Sequence, residues 1–366
     1  MTTYCGVDFH ARQQFVKWCD TGDGEVHEAQ LWHQSLAEVR EFYAQFSGEV
    51  IVGFETSGYS SWFERMLEEL GHEVWIGHAT EIRRRARSRQ KTDRRDAELL
   101  LDLLLQDEFP RIHRVSTSSR EVLRQLRYRH RLVQMRTRSY NSLQAIALGA
   151  GVSLKAKLRT RKGKARLLEL AVTEVHQKQR QEWLALIDQL NGCIDRVEQE
   201  LESVAAADER VQLVRTHPGI GLLTGLALVH TLSPVDRFAN SRKVAAYVGL
   251  EPREYSSGER QQFGGISKAG SCLLRLLLVE AGHKAINKDA QLKQLYYRVA
   301  QRREKAKAKV AVARHLLVRT YIMLRDGIDY AEFVRRGVAV QSARVAYRRQ
   351  LPGKLIERLT SGQQLS

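Results

Sequence analysis

The stretch that constrains this chain most is Lys91-Thr92-Asp93-Arg94-Arg95-Asp96-Ala97, because of what stands on either side of it. An arginine string (Arg83, Arg84, Arg85, Arg87, Arg89) precedes it, and the apolar run Leu99-Leu100-Leu101-Leu103-Leu104-Leu105 follows. A leucine-rich run of this kind reads as a buried helix. A helix that begins near Thr92 sets Asp93 and Asp96 at i and i+3, on one face and one turn apart. Two carboxylates so close repel, and both stay ionised only with positive charge between them. The neighbouring arginines supply it in one reading, a salt-bridged helix start favoured by the dipole. A divalent ion supplies it in the other, and hard oxygen ligands suit Mg2+ or Mn2+.

Upstream, residues 3–10 read as a short strand carrying Asp8 near its end. Residues 14–19 alternate polar and apolar, a half-buried strand, and residues 25–32 form a third strand after the turn at 20–24. Ser35 caps a helix through Phe46 with Leu36, Val39, Phe42 and Phe46 on its apolar face. Residues 49–55 make a buried strand ending on Glu55; a helix over 62–70 and a strand over 72–76 follow. This order predicts a mixed α/β sheet with flanking helices. In open α/β sheets, sites gather beyond the carboxyl ends of strands. Asp8 and Glu55 end strands while Asp93 and Asp96 begin a helix, so all four are candidates for one cleft. Four carboxylates held together need cations. Two divalent ions about 3.5–4 Å apart would clamp the attacking and leaving oxygens of a phosphodiester.

Charge narrows the partner. The chain has 366 residues, enough for two or three domains, and a net charge of +17 with a pI near 9.9. That points to a polyanion. No apolar run reaches membrane-spanning length and no signal segment opens the chain, which favours nucleic acid over a membrane. Cys5, Cys19, Cys193 and Cys272 are scattered with no CxxC pair, as expected of reduced thiols in a cytoplasmic protein.

Past Pro110 the pattern becomes helical. A long arginine-dense helix is predicted over about 120–148 and a second over about 172–206, joined by the basic segment 155–166. In the second, Trp183, Ile187, Leu190, Ile194, Val197, Leu201 and Val204 repeat four-three-four-three, a heptad seam. It reads as packing within the chain or as an oligomer interface. His217-Pro218-Gly219-Ile220-Gly221 is similar to the glycine turn of helix-hairpin-helix motifs, which brings backbone N–H groups to a phosphate. A polar loop follows with Ser256-Ser257-Gly258, then Gly265-Ile266-Ser267-Lys268-Ala269-Gly270 and a helix bearing Leu274-Arg275.

Here a resemblance becomes specific. Gly6-Val7-Asp8, Glu55-Thr56-Ser57-Gly58 and Lys91–Ala97 resemble the three blocks of the RuvC-like DEDD domain in insertion sequence 110 family transposases. Gly249-Leu250, Pro252, Ser256-Ser257-Gly258, Gly265–Gly270 and Leu274-Arg275 resemble the family's second block, closest to its IS1111-type branch. The resemblance implies an RNase H-like N-terminal domain over 1–110, a helical coiled-coil and basic linker region over 111–208, a mainly α transposase domain over 209–340 and a basic tail over 341–366. It implies metal ligation by Asp8, Glu55, Asp93 and Asp96. It also implies a serine nucleophile, Ser257 by alignment with Ser256 in reserve, forming a 5′-phosphoserine link to DNA. The partners implied are donor and target DNA, a structured noncoding bridge RNA and further copies of the chain, as a dimer or tetramer in a prokaryotic, nucleoid-associated setting. Candidate phosphate contacts are Arg83, Arg84, Arg87, Lys91, Arg94, Arg95, Lys268 and Arg275. No histidine stands out as a base for the serine, so its activation is expected from the four-acid site. Two other readings stay open: a RuvC-like junction nuclease in which water attacks, and a non-catalytic nucleic-acid scaffold.

Overall fold

A five-stranded sheet organises the first of two units, Met1–Arg114. The computed structural model describes residues 1–55, 58–85, 92–254 and 263–337. Strands β1 (Thr2–Phe9), β2 (Gln13–Asp20) and β3 (Val26–Trp32) form an antiparallel meander. Helix α1 (Leu36–Ala44) carries the chain back to β4 (Glu49–Glu55), which lies parallel to β1. After α2 (Ser61–Glu69), β5 (Glu73–Gly77) pairs parallel with β4, and the sheet order is β3-β2-β1-β4-β5. Helices α3 (Ala79–Arg85) and α4 (Asp93–Leu105) complete the unit.

Alternation assigns the two sheet faces. Cys5, Val7 and Phe9 of β1 and Val50, Val52 and Phe54 of β4 pack in one core with Val39 and Tyr43 of α1 and Phe63 and Leu67 of α2. On the other face, Tyr4 and Ile51 pack with Leu100, Leu103 and Leu104 of α4. Those leucines and Leu101 are at most 4% exposed, and burying each contributes roughly 1.5–3 kcal/mol. The expected buried helix therefore exists, and Thr92 caps it by accepting a hydrogen bond from the Arg95 N–H.

Two glycines set how closely α4 approaches. Gly6 and Gly53 are register partners on β1 and β4. A Cβ on Gly6 would lie 2.6 Å from the Ala97 carbonyl oxygen, and one on Gly53 2.9 Å from the Leu104 methyls. No side chain fits there, so the helix backbone sits directly on the sheet.

The second unit, Val115–Ser366, is mainly helical. Helix α5 (Thr117–Gly149) starts at the Ser116 cap. A 3-10 turn (Lys155–Arg159) and α6 (Arg161–Leu168) lead to α7 (Glu174–Ala207). The heptad seam is used inside the chain. Val197 and Leu201 pack with Val122 and Leu126, Leu190 and Ile194 with Leu132, and Ile187 with Leu143 and Ala147. The pairs run antiparallel and are flanked by Arg129–Glu198 and Arg136–Asn191 contacts.

Helices α8 (Glu209–Arg215), α9 (Leu222–Leu232) and α10 (Ser241–Val248) come next. The short ribbon β6 (Pro252–Glu254) and β7 (Phe263–Ile266) precedes α11 (Cys272–Ala285), α12 (Ala290–Arg302) and α13 (Lys305–Asp326). A buried polar knot ties this unit together. The Asp289 carboxylate accepts hydrogen bonds from the Arg319 guanidinium, from the Tyr330 hydroxyl at 2.6 Å and from the Leu292 N–H at 2.8 Å. Beside Tyr330 lies His217, 1% exposed, its ring centroid 4.5 Å away. Burial, with Arg319 nearby, pushes the His217 pKa down to about 4.

Candidate metal centre

Each acid of the predicted tetrad is positioned by the element that carries it. Asp8 is the penultimate residue of β1, on the face that Tyr4 and Gly6 present to α4. Glu55 ends β4, one step beyond Phe54, the partner of Val7, and shares the parity of Ile51 and Gly53. The two acids therefore stand level on neighbouring strands and on the same face. Asp93 and Asp96 lie in the first turn of α4, the helix seated on that face.

The side chains converge in part. Asp8 Oδ2 and Asp93 Oδ1 both face one ring nitrogen, His10 Nε2, at 3.0 and 3.5 Å. Ligand atoms of Asp8, His10 and Asp93 lie within 4.8 Å of one another. Asp8 is raised above the ordinary aspartate value by burial and by the charges of Asp96 and Asp93, against the lowering pull of His10. Its surroundings thus work against its negative charge, the condition under which a carboxylate gains from an added cation. Glu55 makes a 3.4 Å contact with the Arg83 guanidinium. The oxygen donors of Asp8 and Asp93, with the His10 imidazole among them, fit a divalent ion; among the described residues Glu55 and Asp96 are not part of that close cluster.

Sequence reasoning did not single out His10, Gln13 or Gln30. His10 occupies the turn between β1 and β2, where its N–H donates to the Gln13 carbonyl oxygen at 2.9 Å. The Gln13 amide donates to Asp93 Oδ2 at 3.1 Å, and the Gln30 amide donates to Gln13 Oε1 at 3.0 Å. The one available signal was the position of His10, two residues after a strand-end acid.

The basic candidates divide. Arg94 pairs with Glu28 at 2.8 Å and Arg84 with Glu81 at 2.7 Å. Arg95 is exposed on the first turn of α4. Arg275 donates to the Val248 carbonyl oxygen at 3.0 Å and to that of Ala269, fastening α11 to the root of the β6–β7 ribbon. Lys268, in the same root, adopts φ +58°. Arg87, Lys91, Ser256 and Ser257 lie outside the described residues. Among the described residues no helix is long and apolar enough to cross a membrane.

Acids at two neighbouring strand ends, a seated helix whose first turn carries two more and a strongly basic chain are the arrangement expected of an enzyme that acts on a polyanion. Comparison with known proteins makes this particular. Residues 5–150 match the DEDD transposase domain of the IS110 type, and residues 211–297 match the family described as Transposase IS116/IS110/IS902. The chain is 27% identical over 292 residues to a probable family 20 transposase of Pseudomonas aeruginosa, covering 77% of this chain and 83% of that one. It is 31% identical over 242 residues to the transposase for insertion sequence element IS1328 of Yersinia enterocolitica, covering 63% and 69%. It is also 27% identical over 231 residues to the transposase for IS1111A of Coxiella burnetii, covering 61% and 64%. The chain belongs to the IS110/IS116/IS902 family of insertion-element transposases, enzymes that cut and rejoin DNA.

Proposed function

We propose that the first unit is an RNase H-like, RuvC-like catalytic domain in which Asp8, Glu55, Asp93 and Asp96 hold Mg2+ or Mn2+, and that Ser257 is the nucleophile of DNA strand exchange. One observation carries the reading: acids ending two neighbouring parallel strands face the helix whose first turn bears the other two. The meander followed by alternating helices and parallel strands supports the RNase H-like assignment.

Bound divalent ions supply positive charge to the oxygens of the scissile phosphate. The chain's own groups do the rest. The Ser257 hydroxyl, with Ser256 in reserve, attacks phosphorus, and the bond to the 3′ oxygen breaks. The 3′ oxygen leaves with a proton, and the 5′ phosphate stays on serine as a diester. Attack by the 3′-hydroxyl of another strand re-forms the DNA backbone and returns the serine. A serine hydroxyl is weak at its ordinary pKa and needs this activation.

In the same proposal the net charge of +17 serves phosphate contacts to donor and target DNA and to a structured noncoding bridge RNA, with Arg83, Arg84, Arg87, Lys91, Arg94, Arg95, Lys268 and Arg275 as contributors. Residues 111–208 act as a helical linker region, 209–340 as the serine-bearing domain and 341–366 as a basic tail. The assembly is a dimer or tetramer working at the nucleoid. The test is a denaturing gel of protein, RNA and donor DNA. A covalent protein–DNA adduct is expected, lost in Asp93→Asn and in the double variant Ser256→Ala/Ser257→Ala. An adduct that persists in the double variant overturns the serine mechanism. Metal-dependent cleavage without any adduct favours attack by water.

A further inference from the structure

We propose that His10 is a ligand of the divalent ion held by Asp8 and Asp93, so that this centre carries one nitrogen donor and prefers Mn2+ to Mg2+; the inference rests on the reading of the four acids as a metal centre. The geometry points to it in three ways. First, His10 Nε2 is the atom on which the two carboxylates converge, at 3.0 Å from Asp8 Oδ2 and 3.5 Å from Asp93 Oδ1. Two ligands at right angles on an ion with bonds of about 2.1 Å lie about 3 Å apart. The observed separations are those of atoms able to share one ion.

Second, Asp93 is oriented for this task. Its Oδ2 is occupied by the Gln13 amide, which Gln30 holds in turn, so the free oxygen is the one turned to the imidazole. Partners of this kind fix a ligand's direction before an ion arrives. Third, a backbone bond fixes where His10 stands. The His10 N–H to Gln13 carbonyl bond closes the β1–β2 turn directly beside Asp8. His10 is therefore held by the same turn that supplies Gln13.

The chemical consequence is selectivity. Mg2+ favours an all-oxygen octahedron, whereas a nitrogen donor raises affinity for first-row transition ions relative to it. The probe is Mn2+ added to the full-length chain, read by pulsed electron paramagnetic resonance for modulation from a coordinated 14N nucleus, with Mg2+ competition alongside. Wild type is expected to show 14N coupling. His10→Asn is expected to lose it and to lower the Mn2+-over-Mg2+ preference about tenfold, while Asp93→Asn weakens both ions. Wild type that binds Mn2+ through Asp8 and Asp93 but shows no 14N coupling overturns the role of His10 and leaves the acid centre standing. Coupling that survives in His10→Asn likewise overturns it. Mn2+ affinity unaffected by Asp8→Asn and Asp93→Asn overturns the acid centre itself, and the role of His10 with it.

Discussion

Asp8 in the first unit and Asp289 in the second are both carboxylates withdrawn from water, and their surroundings treat them in opposite ways. Around Asp8, burial and the charges of Asp96 and Asp93 raise the pKa, with His10 as the counterweight. Around Asp289, burial opposes ionisation too, but the Tyr330 hydroxyl, the Leu292 N–H and Arg319 outweigh it and hold the carboxyl below its usual range. The difference separates two uses of buried charge. A carboxylate saturated by its own chain is a structural tie. A carboxylate crowded by like charges is arranged for a cation from outside.

The largest expected effect tests the tie. Asp289→Ala strips a buried guanidinium of its carboxylate and is expected to cost about 4 kcal/mol in denaturant unfolding. Asp8→Asn in the ion-free protein should leave stability unchanged or raise it. Equal losses in both variants would erase the contrast.

Acid titration sharpens the comparison, because the signs differ. His217 has its folded pKa pushed down to about 4, so the unfolded chain takes up a proton that the folded one refuses. Its contribution is complete above its ordinary value of 6.5 and is lost as pH falls towards 4, by up to about 3 kcal/mol. Asp8 runs the other way: its pKa is raised above 3.8, so its contribution is complete below that pH and is lost as pH rises through the raised value. Hydrogen exchange resolved by unit should show acidification between pH 6.5 and 4 loosening the second unit more than the first, where burial lowers the His33 pKa and acts in the same direction.

Gly6→Ala forces α4 away from the sheet and should cost about 2 kcal/mol, together with divalent-ion affinity measured by calorimetry. Gln13→Ala is the mildest. Its effect on stability should stay within about 0.5 kcal/mol, while divalent affinity drops about tenfold because Asp93 loses its orientation.

What was legible in the sequence were features written locally. Ser35 and Thr92 announced helix starts because a cap acts within one turn. The strand-end positions of Asp8 and Glu55 were legible from the short strand segments that they close. The helix predicted over 120–148 runs over Thr117–Gly149, and that over 172–206 runs over Glu174–Ala207.

What stayed hidden depends on distant registration. Gln13 reaches Asp93 only because β2 lies beside β1 under α4, a placement fixed by contacts 80 residues apart. The seating of α4 on Gly6 is a relation between backbones that no side-chain pattern records. The Asp289–Arg319 pair spans 30 residues, from the cap of α12 to the body of α13, and neither residue stood out. The heptad seam was visible, but its partner was not, since the same spacing serves a neighbour in the chain or in another copy.

That seam has a mechanical consequence. Helices of 33 and 34 residues each reach about 50 Å, and here each zips onto the other. The result is a strut that keeps its stiffness without help from a second molecule. Its gluing surface is already spent, so copies that meet along it must do so by the outward side, where Tyr128 and Met135 stand one heptad apart at 50% and 48% exposure.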